Sequence, residues 1–147
     1  MAQQLISYVT GFMVCCGKVL LINKVRPVWQ EGLANGVGGK IEPNETPLQA
    51  MIREFQEETG YHQPVWEEFC ELSDGANFKV HFFVCVLPFQ PKVRSVTDET
   101  VFWVDHSPFP PGTFVIPNLR WLLPMAFNRL DARHTIEKFT VLEQVRR

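Results

Sequence analysis

The sequence predicts an α/β sandwich on a mixed β-sheet. Three observations carry this reading: β-branched and aromatic runs recur along the chain, two helical patterns interrupt them, and a glycine cluster leads directly into the first helix. No internal repeat, low-complexity stretch or linker divides the 147 residues, so one domain over 1–147 is expected.

In chain order, strand character is expected near residues 5–16 and 18–23. A loop over 25–35 follows, then the glycine run Asn35-Gly36-Val37-Gly38-Gly39-Lys40. Pro47–Thr59 carries every helix signal: Thr46 at the N-cap, Pro47 at the first helical position, Gln49 to complete a capping box, and Gly60 for a left-handed C-cap. Leu48, Met51, Ile52 and Phe55 define its apolar face, and small Ala50 is expected to leave room beside the acidic side. Strands return near 64–73, 78–87 and 100–105, with Phe78-Lys79-Val80-His81-Phe82-Phe83-Val84 suited to a central strand. The proline-rich stretch 108–117 reads as a constrained loop. Asn118 is placed to cap a second helix running to about Arg129, with Pro124 marking a later start as the alternative. The tail 138–145 alternates as a final strand.

Composition excludes several classes. A formal charge of −2 with 46% hydrophobic residues is ordinary for a globular protein and gives no basic groove for nucleic acid. No run approaches the roughly 20 apolar residues of a membrane span, and no basic segment precedes an apolar one at the start, so a cytoplasmic location is expected. Cys15, Cys16, Cys70 and Cys85 lack C-x-x-C spacing and fit a reducing compartment, and Cys85 reads as core. The four histidines show no metal-ligand spacing. Two nucleotide motifs fail outright: a P-loop would need glycine at Ala34 and a hydroxyl at Ile41, and the dinucleotide fingerprint would need glycine at Ile41.

The acidic helix is the informative segment. Glu54, Glu57 and Glu58 fall on one face, where the i,i+4 repulsion costs a few tenths of a kcal/mol and the helix dipole costs about 0.3 to 1 kcal/mol for each late glutamate. An ordinary solvated face, with Arg53 paired to Glu57, would explain one such charge better than three. Clustered carboxylates beside a glycine loop suit a hard divalent cation, Mg²⁺ or Mn²⁺, with a phosphate ligand. Mutual repulsion should raise the pKa values of these glutamates in the absence of metal.

Gly39, five residues, Glu45, seven residues, then Arg53-Glu54-Phe55-Gln56-Glu57-Glu58-Thr59-Gly60-Tyr61 resembles the Nudix box, G-x5-E-x7-R-E-U-x-E-E-x-G-U, of the Nudix hydrolases. All charged and glycine positions are filled. Phe55 and Tyr61 are aromatic where the pattern prefers aliphatic residues, a change that touches local packing. The resemblance implies an α/β/α sandwich and a metal-dependent pyrophosphohydrolase. It implies that Glu54, Glu57 and Glu58 bind Mg²⁺ with the Gly38 carbonyl, that Arg53 orients a glutamate, and that Glu54 or Glu58 takes the proton from water. It assigns Glu45 to securing the loop. Relatives in the MutT-like branch take a further metal contact from a downstream carboxylate near a tryptophan, which points to Glu99, with Asp98 as the alternative, ahead of Trp103.

For the substrate, the resemblance to the branch acting on oxidised purine nucleoside triphosphates implies that Asn35 and Trp29 line a base pocket. Asn118 and Leu119 stand where that branch has two aspartates, and an amide there offers a donor and an acceptor. Lys24 is a candidate phosphate contact. The leading expectation is an ordinary or oxidised nucleoside triphosphate cleaved to monophosphate and pyrophosphate. ADP-ribose or another nucleoside diphosphate derivative is the alternative, and a non-catalytic nucleotide sensor the third reading. The expected partner is this small molecule, with no nucleic acid or membrane; the sequence leaves the oligomeric state open.

Overall fold

The computed structural model describes residues 4–131 and 138–144. Among these, eight strands and two α-helices follow in the order β1 (Ile6–Cys15), β2 (Lys18–Asn23), β3 (Ala34–Asn35), β4 (Val37–Lys40), α1 (Pro47–Thr59), β5 (Glu67–Ser73), β6 (Phe78–Val86), β7 (Val101–Asp105), α2 (Leu119–Leu130) and β8 (Phe139–Leu142). The strands form one mixed sheet of order β3-β2-β1-β6-β5-β8, with β4 also paired to β1 and β7 to β2. β1 runs parallel to β6 and β5 parallel to β8, and the remaining pairs are antiparallel.

The period of two sorts side chains onto two faces. Phe12 and Val14 of β1 join Phe82 and Val84 of β6 against Leu119, Leu122, Leu123 and Ala126 of α2. Val9 and Met13 join Phe83 and Cys85 against Ala50, Met51 and Phe55 of α1. The sheet is thus covered by one helix on each side, the expected sandwich. Burying Met51 and Phe55 contributes on the order of 1.5–3 kcal/mol each, which holds α1 in place despite its acidic end.

Several local expectations are corrected. The glycine run is itself a strand, β4, because it pairs antiparallel with β1 from Gly11↔Val37 to Tyr8↔Lys40. The segment 25–35 holds a 3-10 turn at Val28–Gln30 and ends in β3. The strand expected from 64 begins at Glu67, since Gln63 and Trp66 close a local turn in which Trp66 Nε1 donates to the Gln63 carbonyl. α2 runs straight through Pro124, whose missing N–H is outweighed by the buried leucines around it. Asn118 stands at the N-cap in helical geometry, φ −68° and ψ −15°, and its side chain makes no capping bond. β8 is shorter than expected, and Val145 lies outside the described residues. Ala50 is fully buried in the core, so it does not open the acidic side, and Leu48 is exposed rather than packed. Among the described residues no helix is long and apolar enough to cross a membrane.

Candidate active site

α1 begins as its sequence dictates. The Gln49 N–H donates to Thr46 Oγ1, the Thr46 N–H donates to Gln49 Oε1, and Gly60 ends the helix at φ 71°. This fixes the phase of Arg53, Glu54, Glu57 and Glu58.

Arg53 is the hub. Its Nε and Nη2 grip the two oxygens of Glu45 at 2.6 and 2.8 Å, Nη1 donates to Glu54 Oε1 at 2.8 Å and Glu57 Oε2 at 3.2 Å, and Nη2 also reaches the Lys40 carbonyl at 3.0 Å. Glu45 in turn accepts from the Glu42 N–H, closing the loop between β4 and α1. The guanidinium holds Glu45 below the ordinary carboxylate range. Glu54 moves the other way: burial raises its pKa, Arg53 opposes this, and repulsion from Glu57 and Glu58 adds less. Mutual repulsion, the expected cause, is therefore the minor one at Glu54.

β4 lies against this carboxylate. A β-carbon on Gly39 would lie 2.5 Å from the Glu54 carboxylate, and one on Gly38 would lie 1.9 Å from the Val9 carbonyl oxygen. Glycine is required at both positions for β1, β4 and α1 to approach this closely. Across β4, on the α2 face, opens a cavity of about 950 Å³. Its walls include Gly38 and Gly39 together with Lys24, Trp29, Asn35 and Asn118, so the structure brings all four substrate candidates to one space beside the glycine strand. Trp29 is 68% exposed and takes no part in the core. The Gly36 N–H donates to Asn35 Oδ1, and Asn118 Oδ1 is buried without a hydrogen-bond partner.

Glu99 is nearly fully buried. It accepts from Lys24 Nζ at 2.9 Å and from the backbone N–H groups of Val25 at 2.7 Å and Arg26 at 3.3 Å. Burial alone would raise its pKa, and these hydrogen bonds outweigh it to leave a net depression. Asp98 pairs with Arg26 on the surface. Glu58 accepts from Thr97 Oγ1 at 2.8 Å.

Among the described residues, the three side chains whose ligand atoms gather within 4.8 Å are Glu68, Glu71 and His81, a different part of the α1 face; Glu54, Glu57 and Glu58 do not converge in this way. Lysines already neutralise that cluster: Lys138 Nζ lies 3.4 Å from Glu68 and 3.3 Å from Glu71, and Lys79 Nζ 3.0 Å from Glu71. At the Nudix-like helix the donors are all carboxylate oxygens, one of them partly desolvated against glycine, and this set fits a hard divalent cation.

The sequence gives no direct notice of Arg26, Thr97, Tyr8 or Thr10. Arg26, Tyr8 and Thr10 line the cavity, and the Thr97 hydroxyl donates to Glu58 and accepts from the Glu99 backbone N–H. The alternation of Phe78, Val80 and Phe82, which also line it, is the one signal that reaches this wall.

A mixed sheet between two helices, with a capped carboxylate helix docked on a glycine strand, defines a protein of the Nudix class. The NUDIX domain model matches residues 8–139, and the chain belongs to this family. It is 38% identical over 65 residues to the CTP pyrophosphohydrolase of Escherichia coli strain K12, a stretch covering 44% of this chain and 48% of that relative, so the chain spans about half the length of the curated relative it matches. Its fold is similar to the MutT NUDIX hydrolase from Burkholderia pseudomallei, with a TM-score of 0.70 and 21% identity over 84% of this chain and 98% of the other. It is also similar to the NUDIX domain of NrtR from Shewanella oneidensis in complex with ADP ribose, with a TM-score of 0.65 and 22% identity over 88% and 90%.

Proposed function

We propose that this chain is a metal-dependent pyrophosphohydrolase of the MutT-like branch, acting as a single domain on an ordinary or oxidised nucleoside triphosphate to give the monophosphate and pyrophosphate. The observation that carries the reading is the glycine strand β4, with the Glu54 carboxylate against Gly39 on one side and the cavity on the other. The size of the cavity, about 950 Å³, is ample for a nucleoside. The relationship to a CTP pyrophosphohydrolase supports a triphosphate.

Glu54, Glu57 and Glu58, with the Gly38 carbonyl, would hold Mg²⁺, or Mn²⁺ in its place. When bound, such a cation neutralises phosphate oxygens and lowers the pKa of water. Arg53 fixes Glu45, Glu54 and Glu57 relative to the loop. Glu54 or Glu58 accepts the proton as the water oxygen bonds to phosphorus and the anhydride bond between the α and β phosphates breaks. In the cavity, Trp29 offers a face to the base, and Asn35 Nδ2 and Asn118 Oδ1 offer a donor and an acceptor to its edge. Lys24 stands where it can meet a phosphate. Glu99 in this arrangement holds Lys24, and its service as a metal ligand requires that pair to open. The unpaired cysteines suit action in the cytoplasm.

The cavity also has room for ADP-ribose or another nucleoside diphosphate derivative, the second reading. The test is Mg²⁺-dependent hydrolysis of ordinary and oxidised triphosphates, ADP-ribose and a dinucleoside polyphosphate, with Glu58→Gln as control. Monophosphate plus pyrophosphate from a triphosphate is the expected result. Cleavage confined to ADP-ribose selects the second reading, and binding without turnover selects a sensor.

A further inference from the structure

The box carboxylates divide between two supports. Glu45, Glu54 and Glu57 all lean on the Arg53 cation, whereas Glu58 takes a hydrogen bond from an uncharged group, the Thr97 hydroxyl, at 2.8 Å. Glu58, like Glu57, lies in the last turn of α1, where the helix dipole disfavours its charge and a glutamate side chain has many rotamers to choose from.

The Thr97 hydroxyl is engaged on both sides: it accepts from the Glu99 N–H at 3.2 Å and donates its single proton to Glu58. The backbone around it is tied to the same helix end: the Arg94 N–H donates to the Thr59 carbonyl at 3.0 Å and the Val96 N–H to the Glu58 carbonyl at 3.4 Å. At its other end this strap meets the cavity wall, through Glu99 to Lys24 and the amides of Val25 and Arg26, and through Asp98 to Arg26. Residues 94–99 therefore brace the end of the carboxylate helix against the loop that lines the nucleotide cavity.

We propose that Thr97 is a positioning residue for Glu58: its hydroxyl fixes one carboxylate oxygen while leaving the full negative charge available to a divalent cation. A lysine or arginine in its place would orient Glu58 equally well and would cancel that charge. The inference rests on the metal-dependent reading of the site given above.

The test uses the full chain and Mn²⁺ alone, titrated by electron paramagnetic resonance, alongside Mg²⁺-dependent initial rates with a nucleoside triphosphate. Thr97→Val is expected to weaken Mn²⁺ binding about tenfold, the scale of one hydrogen bond to a charged group, and to lower kcat with KM for the nucleotide unchanged. Thr97→Ser is expected to stay within about twofold of the unaltered chain, since it restores the same donor. Thr97→Lys is expected to bind Mn²⁺ more weakly still. Thr97 is exposed, so all three are expected to remain folded, which melting curves check. Undiminished Mn²⁺ binding by Thr97→Val, or a Thr97→Ser variant as weak as Thr97→Val, overturns the proposal. If the unaltered chain binds Mn²⁺ and hydrolyses no triphosphate, the substrate reading fails by itself and the Mn²⁺ titrations still decide the role of Thr97. If it binds no Mn²⁺, both fall.

Discussion

Gly39 and Glu54 touch across the boundary between strand and helix: a single added carbon on Gly39 would sit 2.5 Å from the carboxylate. The strand backbone lies directly against the carboxylate. Gly39→Ala should therefore push Glu54 aside, with a loss of triphosphate hydrolysis of about a hundredfold or more and a stability cost on the order of 1–3 kcal/mol from overpacking. Initial rates and a denaturant titration check the two effects separately. A variant with full activity would show that Glu54 can move without consequence.

Asn118 leads to a prediction in which stability and binding part company. Its Oδ1 is buried and unpartnered, and it does not cap α2. Asn118→Leu removes this unsatisfied acceptor and should raise the melting temperature, by the equivalent of up to about 1–3 kcal/mol. It should also raise KM for the nucleotide roughly tenfold with kcat nearly kept, because a hydrogen bond to the base edge is lost. A variant that is more stable and binds equally well would remove Asn118 from the substrate site.

Asp74 contributes to the acid limb of stability, beside Glu45, Glu71, Asp98 and Glu99, whose pKa values are also lowered. Its carboxylate accepts from the Ala76, Asn77 and Phe78 N–H groups and from Asn77 Nδ2 at the β5–β6 turn, and the backbone bonds from Ala76 and Asn77 hold its pKa well below the ordinary value. A folded-state pKa lower than the unfolded one gives stability that is fully present above the unfolded value of about 3.9 and lost as pH falls below it. Asp74→Ala should thus lower the melting temperature at pH 7, and the gap should close as both proteins are taken well below pH 3.9. A gap independent of pH would mean that the turn does not depend on this charge.

The helix ends, the strand periods and the box itself were legible in the sequence because each depends on neighbours within a few residues. Thr46, Pro47, Gln49 and Gly60 specify α1 locally, and the structure agrees to the residue. What depended on tertiary partners was not legible. The glycine run reads as a loop until β1 is laid beside it, and Ala50 looks like open space until the sheet covers it. Glu99 reads, by resemblance, as a metal ligand, and only the fold supplies Lys24 and two amides from a segment more than 70 residues away. Thr97 has no sequence signal at all, since its meaning comes from Glu58, 39 residues away, which only the fold brings to its hydroxyl. Lys24, Trp29, Asn35 and Asn118 are scattered over nearly a hundred positions, and their shared cavity follows from the sheet order rather than from any spacing.

The thinness of β4 has a last consequence. Helix α1 sets the Glu54 carboxylate on one side of a backbone whose glycines carry no side chains, while the cavity on the other side is walled by β1, β6, the segment leading into α2 and the loop after β2. Apart from the glycines, the 94–99 segment is the main link between the two halves. The walls that would choose a ligand can be rewritten, large for small or amide for acid, while the reactive half is left unedited. A lineage built on this plan can change its diet without relearning how to digest.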